Sequence, residues 1–183
     1  MANILIPIAK GFEEIEAIAV IDVLRRAGFN VLVHGVGARE IEGGHGIVLK
    51  CDDILGRISA DELDMIVLPG GWGGTNILAT DETVQSLLKE MDQKGKEIGA
   101  ICAAPYALNQ AGVLKGIYTC YPSVEEKINQ PGYHPELHVV EDGNVMTSRG
   151  PGTAICFGLA IVKKLKGEQA YESLKAGLLA EYC

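Results

Sequence analysis

Two hydrophobic rhythms alternate along this chain from its first residues. Residues 3–8 form a short apolar run rich in isoleucine, the pattern of a buried strand. After Gly11, the residues Ile15, Ile18, Ala19 and Val23 recur at helical spacing, and the stretch ends in Arg25, Arg26, Ala27 and Gly28. Basic residues in a last turn and a glycine just beyond are helix stop signals. Residues 31–36 read as a second strand, and the segment through Gly43-Gly44-His45-Gly46 to Lys50 as a hairpin. Residues 64–68 make another buried strand, closed by Pro69-Gly70-Gly71. The pattern then predicts a helix with an acidic start over 81–94, a strand over 97–101, a helix over 103–110 and an extended segment over 118–121. Residues 137–140 and 144–147 pair across Glu141-Asp142-Gly143, and helices over 153–165 and 168–179 complete the chain.

Strands that alternate with helices predict an α/β fold, a mainly parallel sheet covered by helices on both faces. Ligands of such sheets bind beyond the carboxyl ends of the strands, where strand order reverses. Three turns therefore carry the candidate chemistry: Lys10 to Glu16, the glycine-rich turn after Leu68, and the turn containing Cys102.

Composition narrows the picture. The 183 residues fit one domain, and 48% hydrophobic with 22% charged residues is the mix of a folded protein. A formal net charge of -8 weighs against nucleic acid, whose phosphates want a basic face. No run approaches a membrane span, and the first apolar run is too short for a signal-peptide core, so no membrane partner is expected. Five cysteines, at positions 51, 102, 120, 156 and 183, are odd in number and lack a Cys-x-x-Cys pair. That spacing argues against a disulfide framework or a zinc site and points to a reducing compartment, the cytoplasm.

Among these cysteines only Cys102 has a reactive context. It ends a strand, with Ala100 and Ala104 at the two small-residue positions that a sharp strand-to-helix elbow requires. Pro105 falls at the helix start, where a missing N–H costs little. A helix N-terminus favours thiolate; lowering a thiol pKa by ~3 pH units takes about 4 kcal/mol of such stabilisation. A small buried core residue is the competing reading of Cys102 and weighs about evenly on this turn alone. The other four cysteines read as structural.

In the first turn, Glu13 and Glu14 are explained as compensation of the helix macrodipole on a solvated end. Glu16 lies one turn deeper, near the apolar face of Ile15 and Ala19. Facing Cys102 it would keep its proton and donate a hydrogen bond to sulfur, because two adjacent acids do not both ionise. The turn Pro69-Gly70-Gly71-Trp72-Gly73-Gly74 fails as a dinucleotide or P-loop motif, and its better use is to expose backbone N–H groups toward a site. His134-Pro135-Glu136 resembles part of a Cys-His-Glu triad of glutamine amidotransferases, but His134 follows Cys102 by only 32 residues in a Pro/Gly-rich stretch and reads as a surface loop. His34, His45 and His138 show no partner spacing that suggests a metal or a relay.

Four ordered motifs, Ala9 to Glu16, Val67 to Gly71, Ala100 to Pro105 and Thr147 to Thr153, together resemble the ThiJ/PfpI superfamily, most of all the branch of the parkinsonism-associated protein deglycase. The resemblance runs nearly end to end. It implies a flavodoxin-like three-layer sandwich, a homodimer, Cys102 as nucleophile and Glu16 as its protonated partner. It further implies an oxyanion site formed by the N–H groups of Gly71 and Ala103, with Tyr121, Arg149, Gly150 and Pro151 close by. The expected activity is glyoxalase- or deglycase-like, on a reactive dicarbonyl or its early amine or thiol adduct, with no cofactor and no metal. The alternative is a redox-sensing or stress-protective protein oxidised at Cys102. Two departures bear on this. Tyr121 stands where enzymes of the branch often carry histidine, and a phenol with pKa ~10 is a poorer base than imidazole near pH 7. Ala103 follows the nucleophile where the protease-like branch has histidine, which argues against protease activity.

Overall fold

A computed structural model describes residues 1–183. Strands β1 (Asn3–Ile8), β2 (Asn30–Gly35), β5 (Asp53–Ile54), β6 (Met65–Leu68), β7 (Glu97–Ile101), β8 (Val139–Asp142) and β9 (Val145–Ser148) form one seven-stranded sheet. Its order is β5-β2-β1-β6-β7-β9-β8, and every pairing is parallel except that of β8 with β9. A separate hairpin pairs β3 (Glu40–Glu42) with β4 (Val48–Lys50). The helices are α1 (Glu14–Arg26), α2 (Trp72–Leu78), α3 (Glu82–Gln93), α4 (Pro105–Ala111), α5 (Val124–Ile128), α6 (Ala154–Lys166) and α7 (Glu168–Gly177). The fold is α/β and flavodoxin-like.

The central strands are buried on both faces because alternate side chains serve two cores. Ile4, Ile6 and Ile8 of β1 pack with Ala17, Val20 and Leu24 of α1 and with Phe157 and Ile161 of α6. Leu5, Ile66, Leu68 and Ile98 point the other way, into Val84, Leu88 and Met91 of α3 and Leu108 of α4. From β1 the chain adds β2 on one side and later returns to place β6 on the other, so strand order reverses at β1. The crevice beyond the ends of β1, β6 and β7 is the topological switch point.

Several sequence expectations shift. The glycine-rich segment is not only a turn, because α2 starts at Trp72 immediately after Gly71. The 118–121 segment joins no sheet strand and makes a single bridge, Tyr118 to Tyr133, while α5 forms in the segment that follows. Cys156 and Cys183 form a disulfide, contrary to the expectation that all five thiols are free; Cys51, Cys102 and Cys120 remain reduced and buried. Spacing failed there because α7 doubles back on α6 and returns the last residue to the start of α6, a contact no local motif announces. No helix is long and apolar enough to cross a membrane.

Candidate active site

Cys102 follows β7 directly, and its backbone adopts φ 65°, one of four positive-φ non-glycine residues. That conformation costs a residue with Cβ about 1–2 kcal/mol, and flanking contacts hold it. The Cys102 N–H donates to the Ser148 carbonyl (3.0 Å), the Tyr121 N–H donates to the Cys102 carbonyl (2.9 Å), and the Ala104 N–H donates to the Ile101 carbonyl (3.0 Å). Ala100 and Ala104 are wholly buried, as the small-residue spacing requires. Cys102 is 8% exposed and lines a pocket of about 590 Å³.

Glu13 starts α1 as its N-cap, its Oε2 accepting from the Glu16 N–H at 2.7 Å. One turn on, Glu16 is wholly buried, and its Oε2 accepts from the Gly70 N–H at 2.8 Å. Its Oε1 has no partner of good hydrogen-bond geometry, although the carboxyl lies in interaction range of the Cys102 thiol. Gly70 permits this meeting. A Cβ there would lie 2.5 Å from Glu16 Oε2 and 2.6 Å from Cys102 Cβ. Gly71 has φ 84°, and its N–H, with that of Ala103, is directed at the Cys102 sulfur.

Burial pushes the Glu16 carboxyl up to about 7; the Glu13 charge adds to this, while the Cys102 and Gly70 hydrogen bonds oppose it. Burial also pushes the Cys102 thiol up, reinforced by the charge and hydrogen bond of Glu16 and opposed by the N–H groups of Gly71 and Ala103. The lowered thiol pKa expected from the helix end is thus not the resting balance of forces. The two acids share a site in which one proton is retained. When that proton sits on Glu16 the repulsion on sulfur disappears, and the two N–H groups remain to stabilise a thiolate.

The pocket wall combines Ile15, Ile47, Trp72, Tyr121 and Pro151. Trp72 stacks edge-on against Tyr106 with ring centroids 5.9 Å apart, and Lys127 Nζ lies 5.4 Å from its centroid. Gly150 stands behind Tyr121, where a Cβ would lie 3.1 Å from the ring. Arg149 does not line the pocket; its guanidinium faces Tyr133 and Cys120 instead. His134 pairs with Glu136 at 3.0 Å in an exposed loop and is absent from the pocket lining.

Two residues contradict their sequence reading. Glu14 is not a solvated helix-end charge. It is 5% exposed and clamps the β3–β4 hairpin, its Oε1 accepting from the His45 N–H (2.6 Å) and, more weakly, the Ile47 N–H (3.4 Å). His45, which spacing left without a partner, places its ring Nδ1 2.8 Å from Glu14 Oε2 at the pocket rim. Only the hairpin's return across α1 joins residues 31 positions apart; a lone histidine among glycines was the sole available hint. Donor atoms of Glu13, Glu14 and His45 come within 4.8 Å of one another, but Glu13 is committed to its cap and Glu14 to the hairpin, so the cluster acts as a clamp.

A cysteine raised on a strand-to-helix elbow at the switch point, with a buried carboxyl behind it, defines a class of α/β protein built around one thiol. The chain belongs to the DJ-1/PfpI family, which it matches over residues 2–164. Protein dj-1beta of Drosophila melanogaster is 40% identical over 181 residues, 97% of each chain. Its crystal structure superposes with a TM-score of 0.93 at 39% identity, again covering 97% of both chains. The glutathione-independent glyoxalase DJR-1.2 of Caenorhabditis elegans is 37% identical over 174 residues, 94% of this chain and 92% of its own. The structure of oxidised Toxoplasma gondii DJ-1 gives a TM-score of 0.91 at 32% identity over 98% of each chain.

Proposed function

We propose that this protein is a cofactor-independent glyoxalase- or deglycase-like enzyme that converts methylglyoxal-type dicarbonyls, or their early amine or thiol adducts, to a hydroxy acid. The observation that carries the reading is the strained elbow that holds Cys102 against two backbone N–H groups and the buried Glu16. Kinship with a named glyoxalase supports it.

In this mechanism the Cys102 sulfur bonds to the aldehyde carbon, and the carbonyl oxygen takes up a proton while the Gly71 and Ala103 N–H groups hold its developing charge. Glu16 removes the hydrogen from that carbon and returns a proton to the neighbouring carbon, while the hydroxyl proton on the first carbon passes to the neighbouring oxygen, leaving a hydroxyacyl thioester. Water cleaves the thioester and restores the thiol. The oxidation of one carbon is balanced by reduction of its neighbour, so no external redox partner takes part. A carboxyl with its pKa near 7 is suited to give and take a proton at neutral pH. Metal-free protein is expected to consume methylglyoxal and form lactate in equal amounts. Equal rates from the wild type and Cys102→Ser would reject the mechanism.

The alternative redox role has its own support, a buried thiol beside an acid that holds its proton to about pH 7. Here two equivalents of peroxide carry Cys102 to the sulfinate with release of two waters, and protonated Glu16 donates to the new oxygen. Intact-mass analysis during peroxide titration should find two oxygens added at Cys102 alone; unselective addition counts against the role. Within the proposal the protein works in the cytoplasm, the reading of its cysteine pattern, and as a homodimer, the expectation of the family resemblance. Exposed Ile15 and Ile18 on α1 and Ile47 and Val48 on the hairpin supply an apolar face for such a dimer.

A further inference from the structure

The proposed reaction needs a water-activating base in the pocket, and the lining offers few. Glu16 is wholly buried and absent from the pocket wall, so it serves the sulfur and the carbons bonded to it rather than incoming water. Besides Cys102 itself, the titratable lining residues are Glu13, Glu14, His45 and Tyr121. Glu13 is held as the α1 cap, Glu14 is buried under the hairpin, and the Tyr121 hydroxyl offers no basic nitrogen. His45 is different. Its Nδ1 is paired at 2.8 Å with a carboxylate that is itself buried, while three-quarters of its side chain is exposed at the rim. With Nδ1–H donating to Glu14, Nε2 is the free basic nitrogen. A buried carboxylate that orients an imidazole by one ring nitrogen and leaves the other for reaction is the base half of a hydrolytic triad.

We propose that His45 is the general base that clears the acyl group from Cys102, with Glu14 as the residue that positions it. This rests on the reading of Cys102 as the nucleophile that carries the acyl group. In the step, the oxygen of a pocket water bonds to the thioester carbon while its proton passes to Nε2. The carbon–sulfur bond then breaks, sulfur leaves as thiolate, and the imidazolium returns the proton to it, directly or through Glu16. Nothing is oxidised or reduced. The charged and titratable groups facing His45 are Glu14 and Glu13 from α1 and its cap, and Cys102 and Tyr121 across the pocket. The Glu14 hydrogen bond and charge hold the imidazole above its ordinary pKa, so clearance should rise with pH through a histidine ionisation lying above the usual range.

p-Nitrophenyl acetate acylates a reactive thiol directly and so tests the step without a dicarbonyl. Wild-type protein is expected to give a burst of one nitrophenolate per Cys102 and then a steady rate, with Cys102→Ser as the blank. His45→Gln should keep the burst and lose the steady rate by about 100-fold, accumulating a hydroxylamine-sensitive adduct. Added imidazole should restore the rate to His45→Ala. Glu14→Gln should lower the rate and move its pH midpoint down toward that of free histidine. Equal steady rates and pH profiles in wild type and His45→Gln would overturn the His45 role and leave the Cys102 nucleophile standing. Absence of a burst in wild type would overturn both. A burst cleared through His45 in a protein that consumes no methylglyoxal would retain the His45 role and reject the glyoxalase reading.

Discussion

The elbow at the end of β7 and the last two helices both place cysteines, by opposite means. Around Cys102, position is fixed by lack of space: Glu16, Ala100 and Ala104 are wholly buried, and no side chain fits at Gly70. At the C-terminus, α7 has no fully buried residue. Beyond partial packing of Ala170, Tyr171 and Leu174 on the core, it is held to α6 by the Cys156–Cys183 disulfide and a Lys163–Glu168 ion pair at 2.7 Å, with the Tyr171 hydroxyl donating to the Cys183 carbonyl at 3.2 Å. Burial does at one place what a covalent tie does at the other. The first arrangement tolerates no added atom, whereas the second should tolerate loss of its fastening at moderate cost.

The sharpest way to break this comparison is Gly70→Ala. Its methyl would meet Glu16 Oε2 at 2.5 Å, Cys102 Cβ at 2.6 Å and the Ile101 carbonyl at 2.9 Å. Two of those neighbours are backbone or Cβ atoms of the strained elbow and cannot swing aside. Overpacking of this kind costs about 1–3 kcal/mol or more, and displacement of the carboxyl from sulfur should also abolish Cys102-dependent turnover. Urea unfolding and iodoacetamide labelling of Cys102 measure the two losses. An alanine variant of native stability and reactivity would show that the site is not held by crowding.

Sequence pattern already contained most of the sheet, because a strand buried on both faces is apolar, as β6 is throughout and β1 is from Ile4 onward, while the two-residue β5 at the sheet edge carries no such signal. It offered Cys102 and Glu16 only as candidates: the alanines around the elbow left a buried core cysteine as an equal reading, and the resemblance to the ThiJ/PfpI superfamily singled the pair out. What it lacked is long-range. Glu14 reads as an ordinary acidic start until the hairpin folds over it and supplies three hydrogen bonds from residues more than 30 positions away. The Cys156–Cys183 bond has the same character. The helical start at Trp72 was hidden by glycines that disfavour helix, a propensity overruled because Gly73 and Gly74 lie against the backbone of Lys10, Gly11 and Phe12.

Glu16→Gln probes the electrostatic side of the crowded region. Wild-type Glu16 has its pKa raised from 4.5 to about 7 by burial, so the folded state binds this proton more tightly than the unfolded chain does. The contribution is fully present below pH 4.5 and is lost as pH rises through about 7, worth about 3 kcal/mol for a shift of that size. Unfolding measured from pH 4 to 8 should show wild-type stability falling across that window relative to the glutamine variant, whose neutral amide has no such dependence. Parallel curves would mean that Glu16 is not held neutral by burial.

Cys183→Ser acts on the fastened region and should have the smallest effect. Closing a loop across a sequence separation of 27 has a chain-entropy value of about 3–4 kcal/mol. The full value applies only when everything inside the loop unfolds together. Here the residue released lies in a segment whose helix has no fully buried side chain, so α7 can loosen while the sheet stays folded. The expected loss in global stability is therefore about 1–2 kcal/mol, with hydrogen exchange rising in α7 and unchanged in β1, β6 and β7. Cys102 reactivity should not move, because α7 supplies no atom to its pocket. If exchange instead accelerates in the central strands, the C-terminal tie supports the main core, and the contrast between a site fixed by crowding and a tail fastened at its surface does not hold.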